Sequence, residues 1–324
     1  MTEGETAMRG WIGLLLALVV AGAGPARAEE AARYFRIATA GEAGTYFPVG
    51  RALAEATSTP GIVVSAVTSN GSIANVDAIT SGTVESGLVQ ADVGHWAVTG
   101  TGPFEGKGPQ TGLRAIAALY PETVHLVVRK GAGIARLEDL KGKHVSVDEP
   151  GSGTLADVRL ILAAHRLSER DFVAEYYKPD LAAQLTGDGL LDGFFFVGGY
   201  PAPAIAALAA RKPGEIALVA LDGPGSLAGD NPFFTRARIP VNAYAGVDAV
   251  ETMAVRTLWL TDASQPDAVV EAITAALWSE AARAVLDAGH AQARAIRLDT
   301  ALEGLTVPLH PGAEAFYRKA GVLK

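Results

Sequence analysis

Apolar and polar positions along the chain follow two periods, which predict strands and helices in turn. The apolar segments 34–39, 62–67 and 86–90 are short enough to be strands. Helices are predicted from Thr45 and from Ser72, because the apolar side chains after each recur every three to four positions. Strands that alternate with helices in this way are typical of a largely parallel α/β sheet.

The pattern restarts after Thr123, and this restart predicts a second lobe. Further elements are predicted at 124–129, 144–147 and 194–197 as strands, and after Thr154 as a helix. Residues 223–243 are rich in glycine, proline and asparagine, so we expect a long surface loop there. The segment 252–260 is predicted to return to the first lobe as a strand, and Ser264 to cap the helix that follows. Two crossings between lobes would form a hinge.

The first residues have the pattern of an export signal. The apolar run 11–21 follows Arg9 and precedes Ala26-Arg27-Ala28, which matches a basic region, an apolar region and a cleavage site. The run is shorter than the roughly 20 residues that a membrane-spanning helix needs. We therefore predict a signal peptide over residues 1–28, a periplasmic protein, and no direct membrane insertion after cleavage. Met8 is an alternative start.

Length and composition limit what the rest of the chain can be. Nearly 300 residues with 49% hydrophobic composition predict two lobes, placed at 31–121 plus 250–324 and at 122–249. The chain has no cysteine, which excludes disulfides and thiolate metal sites. Its net charge of −8, with no basic run, argues against nucleic acid or anionic lipid as a partner.

Three loops share one design: a strand ends, glycine and hydroxyl residues follow, and a helix begins. They are Gly44-Thr45, Gly71-Ser72 and Gly151-Ser152-Gly153-Thr154. Helix starts carry unpaired N–H groups and a partial positive charge, which can hold an anionic oxygen. Each hydroxyl alone is explained as a helix cap. Three such loops at the carboxyl ends of strands favour a shared ligand cleft.

Two kinds of enzyme compete with this hypothesis. Gly151-x-Gly153-x-x-Ala156, with Glu175 further on, matches a loose dinucleotide fingerprint, but it lies mid-chain and no acid/base pair for hydride transfer accompanies it. A serine hydrolase is disfavoured because no serine has glycine at both −2 and +2. Both enzyme hypotheses are therefore weaker than that of a ligand cleft.

The histidines and aromatic residues give weaker signals. The six histidines lack metal-motif spacing, so no metal is expected and they are interpreted as surface or structural residues. Phe196 lies near a strand end, where it could line a pocket or be buried. Tyr46, Tyr120 and Tyr200 stand beside turns and could close over a ligand, with core packing equally open for Tyr120.

In order along the chain, several motifs together resemble the TAXI family, the solute receptors of one class of tripartite ATP-independent periplasmic (TRAP) transporter. These are Gly44-Thr45-Tyr46-Phe47-Pro48-Val49-Gly50, Gly71-Ser72-Ile73-Ala74-Asn75, Val89-Gln90-Ala91-Asp92, Asp139-Leu140-Lys141-Gly142-Lys143, Pro150-Gly151-Ser152-Gly153-Thr154 and Val307-Pro308-Leu309-His310-Pro311-Gly312-Ala313. The resemblance covers nearly all of the mature chain. It implies an α/β, two-lobed type II periplasmic-binding-protein fold with a central cleft and hinge, no catalysis and no cofactor. The partner that it implies is a membrane permease driven by an ion gradient rather than by ATP.

The resemblance also implies a small carboxylate ligand such as glutamate, glutamine or a related dicarboxylate. The implied binding residues are Gly44, Thr45, Tyr46, Ser72, Asn75, Gln90, Ser152, Gly153, Thr154, Gly199, Tyr200 and Pro201. The sequence departs from the family pattern at Glu42-Ala43 and at Phe47, and a carboxylate at Glu42 could favour an amino group on the ligand or repel a second acid. A periplasmic enzyme or a sensor partner that acts on a small carboxylate is the alternative function.

Overall fold

The computed structural model describes residues 32–221, 227–228 and 231–324, so the predicted signal peptide lies outside the described residues. Its strands are β1 (Arg33–Ala38), β2 (Ile62–Val67), β3 (Ser86–Gln90), β4 (Leu113–Arg129), β5 (His144–Ser146), β6 (Val173–Glu175), β7 (Gly193–Gly198), β8 (Ile216–Leu218), β9 (Thr235–Ile239) and β10 (Val250–Asp262). Its helices are α1 (Tyr46–Thr57), α2 (Ser72–Thr80), α3 (Ala91–Thr99), α4 (Gly153–Ala164), α5 (Pro179–Gly187), α6 (Pro203–Arg211), α7 (Asp267–Leu277), α8 (Glu280–Ala288) and α9 (Pro311–Lys319).

The strands form one mixed sheet in the order β2-β1-β3-β10-β4-β7-β5-β6, with β8 on β4 and β9 on β10. Pairing is parallel at both ends, where β1 joins β2 and β3, and β5 joins β6 and β7. In the middle, β10 and β4 run antiparallel to each other and to their outer neighbours β3 and β7. The expectation of a largely parallel sheet is therefore wrong for the centre of the sheet.

The long central strand β4 changes its partner along its length. Residues 113–123 pair with β10, and residues 123–128 pair with β7. We call β1–β3 with α1–α3 the first lobe, and β5–β7 with α4–α6 the second lobe. The predicted boundary at 121/122 lies just before Thr123, the residue that pairs with both β10 and β7, and the one at 249/250 directly precedes β10. The exact residue limits of the lobes stay a prediction.

Most short elements lie where the apolar pattern placed them, and strands 62–67 and 86–90 and the helix start at Ser72 agree to the residue. Three expectations were wrong. The first half of β4 was not predicted as a strand, the predicted loop 223–243 contains β9, and Pro266 rather than Ser264 occupies the cap position of α7. Edge strand β9 alternates charged and small residues, which weakens its apolar signal.

Buried side chains form a core that reaches into both lobes. One cluster extends from Val76 and Val93 of the first lobe to Leu155 and Val158 of the second. Each such side chain, fully removed from water, contributes about 1.5–3 kcal/mol. Within the described ranges, no helix is both long and apolar enough to cross a membrane.

Candidate functional site

The three helix starts singled out in the sequence meet at one cavity between the lobes. The cavity volume is about 50 Å³, below the usual range for small-molecule sites, so the lobes stand close together in this structure. Predicted site residues that line it are Gly44, Thr45, Tyr46, Ser72, Gln90, Ser152, Gly153, Thr154 and Phe196. Lining residues that the sequence analysis did not select include Glu122, Asp148, Glu149 and Lys178.

The starts of α2 and α4 face each other across the cavity at close range. A Cβ added to Gly71, whose φ is 107°, would lie 3.4 Å from Ser152 Cα. One added to Gly153 would lie 1.4 Å from Gln90 Oε1 and 2.9 Å from Ser72 Oγ. Gln90 itself lies at the junction of β3 and α3, where its amide N–H donates to Ser72 Oγ at 3.1 Å. Glycine at 153 is therefore required for this close approach.

The start of α1 contributes a hydroxyl and a phenol. Thr45 Oγ1 donates to the Gly199 carbonyl at 2.6 Å, which joins the first lobe to the segment after β7. Tyr46 donates its hydroxyl hydrogen to Glu122 Oε1 at 2.7 Å, and its oxygen lies 3.2 Å from Ser72 Oγ. Tyr46 is thus held between the start of α2 and the central strand.

Glu122 is a buried carboxyl in the cavity wall, with 2% of its surface exposed. It lies in the middle of β4, where Oε1 accepts hydrogen bonds from Tyr46 and from Thr257 on β10, both at 2.7 Å. Burial raises the pKa of Glu122 to about 8, because its two hydrogen bonds only partly offset the lost hydration. The signal in the sequence was a single acidic residue between two apolar runs.

A second group of charged residues lines the opposite wall. Asp148 follows β5, and burial raises its pKa to about 7, although the amide of Glu149 donates to its Oδ1 at 2.8 Å and the nearby hydroxyls of Thr154 and Ser152 also favour the ionised form. Glu149 forms a 3.3 Å ion pair with Lys178, the residue that directly precedes α5. The cavity therefore presents more carboxyl groups than cationic ones.

The hydroxyls of the α4 loop are engaged with the backbone. Ser152 Oγ accepts from the amide of Leu155 at 3.1 Å and so caps α4, while Thr154 Oγ1 accepts from the amide of Val197 at 3.2 Å. Phe196 packs its ring against His125 at 5.4 Å between centroids. His125 is buried, and its two ring nitrogens contact the Thr123 carbonyl and the Tyr244 hydroxyl, as expected for a structural histidine.

Five predicted site residues do not line the cavity. Asn75 donates its amide hydrogens to the carbonyls of Thr39 and Leu88, so it ties two strand ends together. The fully buried Tyr120 belongs to the first-lobe core. Three residues after β7 act instead through main-chain carbonyls that accept from first-lobe or C-terminal side chains: Gly199 from Thr45, Tyr200 from Gln292 and Pro201 from His290.

The arrangement is suited to binding rather than to holding a metal or a dinucleotide. Among the described residues, no group of three or more histidine and acidic side chains could hold a metal ion. The glycines of the loose dinucleotide fingerprint are packed against the first lobe, since Gly151 accepts from the amide of Ala74 and Gly153 contacts Gln90.

The sequence from 37 to 321 matches the NMT1-like family, and the chain belongs to that family. Among solved structures, a protein of Bordetella bronchiseptica RB50 is 18% identical, with a TM-score of 0.50 over 89% of this chain and 81% of that one. That likeness is one of fold.

Two other structures are similar at lower scores. The alkanesulfonate-binding protein SsuA from Xanthomonas axonopodis pv. citri, bound to MOPS, is 16% identical, with a TM-score of 0.45 over 79% of this chain and 78% of that one. The periplasmic aliphatic sulphonate binding protein SsuA from Escherichia coli is 16% identical, with a TM-score of 0.44 over 89% and 88%. The structure itself has the predicted α/β class, with two groups of strands and helices on either side of the central strands β4 and β10.

Proposed function

We propose that this member of the NMT1-like family is an extracytoplasmic solute-binding receptor that holds a small carboxylate between its lobes. The observation that carries the proposal is the meeting of three helix starts, one each from α1, α2 and α4, at one cavity lined by both lobes. Helix starts bind anionic oxygens through backbone N–H groups and the local dipole. The export signal predicted over residues 1–28 agrees with a periplasmic location.

The acidic groups of the cavity favour a ligand that also carries an ammonium group. A plain dicarboxylate would bring two negative charges next to Glu122 and Asp148, whereas an amino acid offers them a cation. We therefore place the ligand carboxylate at Ser72 and Gly153 and its ammonium at Glu122. Within the class of small carboxylates, glutamate and glutamine fit this arrangement better than a dicarboxylate without an amine.

Closure of the lobes would complete the site. Each lobe alone supplies one part of the cavity wall, so only the closed form offers both sets of contacts to the ligand. A ligand that contacts both lobes shifts an existing equilibrium between open and closed forms towards the closed one. A transporter that binds the closed surface would then receive loaded receptors selectively.

The transporter partner is proposed to be a TRAP permease of the TAXI class, on the strength of the motif resemblance. Uptake by cells that express the receptor with its permease tests this: dissipating the ion gradient should abolish uptake, while depleting ATP at constant gradient should leave it intact. If uptake follows ATP instead, the partner is an ATP-driven transporter and the TAXI assignment is wrong.

Ligand binding can be tested before the ligand has been identified. Protein purified under native conditions is denatured, and released small molecules are identified by mass spectrometry. Titration calorimetry then compares glutamate, glutamine and succinate, and we expect succinate to bind at least about tenfold more weakly because it lacks the ammonium. Equal affinity for succinate would contradict the ammonium site, and the absence of any retained or binding acid would contradict the receptor.

The alternative of a periplasmic enzyme is tested in the same samples. Nuclear magnetic resonance spectra of each candidate acid, incubated with the protein, should show the compound unchanged. Conversion to a product at a rate proportional to protein concentration would favour the enzyme.

A further inference from the structure

Two buried aspartates meet behind the cavity wall. Asp92 lies in the first turn of α3, and Asp157 lies on the buried face of α4; neither exposes any surface. The two carboxyl groups lie close enough for each to shift the pKa of the other. Asp92 Oδ2 and Asp157 Oδ1 find no N–H or O–H donor among the described residues.

The remaining oxygens of this pair are satisfied. Asp92 Oδ1 accepts from the amide of Val93 at 2.8 Å. Asp157 Oδ2 accepts from Gln90 Nε2 at 2.8 Å, and Gln90 is the residue against which Gly153 packs. Because Asp92 and Gln90 belong to the first lobe and Asp157 to the second, the whole cluster exists only when the lobes are closed.

Two facing carboxylates without a cation would repel each other strongly in a dry interior. Burial and the charge of Asp92 raise the pKa of Asp157 well above its ordinary value, and burial also raises the pKa of Asp92. Of the ionisable groups on neighbouring elements, Glu122 of β4 adds to the shift of Asp157. Other ionisable side chains on these elements contact other partners. Five of them form ion pairs: Asp77 with Lys107, Arg159 with Glu169, Arg256 with Glu303, Arg238 with Glu251 and Arg129 with Asp192. The other four make single contacts: His95 with Phe233, His125 with Tyr244, Arg114 with the Thr111 carbonyl and Asp262 with the amide of Ser264.

We propose that a single proton shared between Asp92 and Asp157 bridges the two lobes, so that the closed form of the receptor is favoured at low pH and released as pH rises. In the closed form one carboxyl group donates and the other accepts. When the lobes separate, both aspartates meet water and ionise as ordinary carboxylates. The device concerns lobe closure itself and does not depend on which ligand is bound.

The direction follows from proton linkage. The closed form binds one proton more than the open form at any pH between the ordinary aspartate pKa and the raised pKa of the pair. Within that interval the ratio of closed to open molecules falls about tenfold per pH unit. The stabilisation is complete below the ordinary pKa and is lost once pH has passed the raised one.

The absence of cysteine allows a direct measurement of closure. Cysteines introduced at Glu55 on α1 and at Asp188 after α5, both exposed, carry spin labels whose separation reports the distance between lobes. In the ligand-free protein we expect the short-distance population to decline as pH rises from 5 to 9. In Asp92→Asn the new amide donates to Asp157 at every pH, so the population should change much less with pH than in the wild type.

Two further variants complete the test. Asp77→Asn, a carboxyl-to-amide change at an exposed position of α2, should keep the wild-type pH dependence. Asp157→Asn should behave like Asp92→Asn, and it serves if the first variant does not fold. A wild-type distance that does not respond to pH, an Asp92→Asn protein that responds as the wild type does, or closure that follows sodium concentration instead of pH would each overturn the shared proton.

Discussion

Glu122 combines two properties that rarely coincide, namely complete burial and a place in a cavity wall. A carboxyl with a pKa of about 8 is mostly neutral at pH 7, whereas a ligand ammonium beside it would favour the ionised form. Binding of an amino acid should therefore expel the proton. A carboxyl with a purely structural role would not release a proton when the ligand binds.

Replacement of Glu122 by glutamine preserves the hydrogen bonds from Tyr46 and Thr257 but removes the charge. We expect affinity for the amino acid to fall by about tenfold or more. Calorimetry at pH 7 in buffers of different ionisation enthalpy should find about one proton fewer released per ligand than in the wild type. Glu55→Gln, an exposed change on α1, is the control; identical proton release in Glu122→Gln would refute the role of Glu122.

Gly153 offers a steric test of the same site. A methyl group there would overlap Gln90 Oε1, and Gln90 cannot easily turn away because Asp157 and Ser72 hold its side chain. Gly153→Ala should therefore hinder closure and weaken ligand binding several-fold or more, while far-ultraviolet circular dichroism stays that of the wild type. Gly131→Ala, where an added Cβ meets nothing within 4 Å, should bind normally. Normal binding by both variants would mean that closure tolerates a wider gap.

The starts of helices contribute both stability and binding, and paired variants separate the two. Ser152 caps α4 at the cavity, and Ser279 caps α8 far along the chain, each accepting from an amide three residues later at 3.1 Å. Either serine-to-alanine change should lower the free energy of unfolding by about 1 kcal/mol in urea. Only Ser152→Ala should also weaken ligand binding in calorimetry. Equal affinities would reduce Ser152 to a structural cap.

Periodicity predicted the elements that are short and apolar, because a strand or helix with one buried face repeats its pattern within a few residues. It located the starts of α1, α2 and α4, and these carry most of the cavity lining. The first half of β4 was missed because Pro121 and Glu122 separate two apolar runs within this strand. In a sequence, such a separation is typical of a loop between two elements. Glu122, the buried carboxyl of the cavity wall, lies between these two runs.

Contacts between distant segments had no local signal. Asp92 and Asp157 each stand alone in an apolar helix, and only the meeting of α3 with α4 makes them a pair. Likewise, Gly199-Tyr200-Pro201 was placed in the site as side chains, whereas its carbonyls serve the junction with Thr45, His290 and Gln292. Long-range pairing of this kind depends on the tertiary fold, which a single sequence does not specify residue by residue.

At the scale of the whole molecule, the continuous sheet couples the lobes to the site. Strands β4 and β10 run antiparallel through the centre, and Glu122 and Thr257 are hydrogen-bonded across them. Bending at this strand pair would change the cavity wall and the distance between α2 and α4 together. We therefore expect ionisation of Glu122, in the centre of the sheet, to change the free energy of unfolding of the whole protein.

Thermal unfolding as a function of pH measures that effect. The pKa of Glu122 is raised by burial from 4.5 to about 8, so the folded state holds an extra proton between these values, and stability should fall as pH rises through them by about 5 kcal/mol at most. Burial lowers the pKa of His125 from 6.5 to about 4, so its contribution is complete above 6.5 and is lost as pH falls towards 4. The two effects together predict a stability maximum in mildly acidic solution.

Glu122→Gln should remove the loss of stability that Glu122 causes between about pH 4.5 and 8, and should leave the profile below pH 4.5 unchanged because His125 is untouched. Some alkaline slope should remain, since Asp148 and the Asp92–Asp157 pair also hold protons that the unfolded chain would release. Differential scanning calorimetry of wild type and variant between pH 4 and 9 makes the comparison. A variant whose alkaline slope equals that of the wild type would mean that Glu122 is already ionised in the folded protein, because only a neutral, buried carboxyl gives up a proton on unfolding.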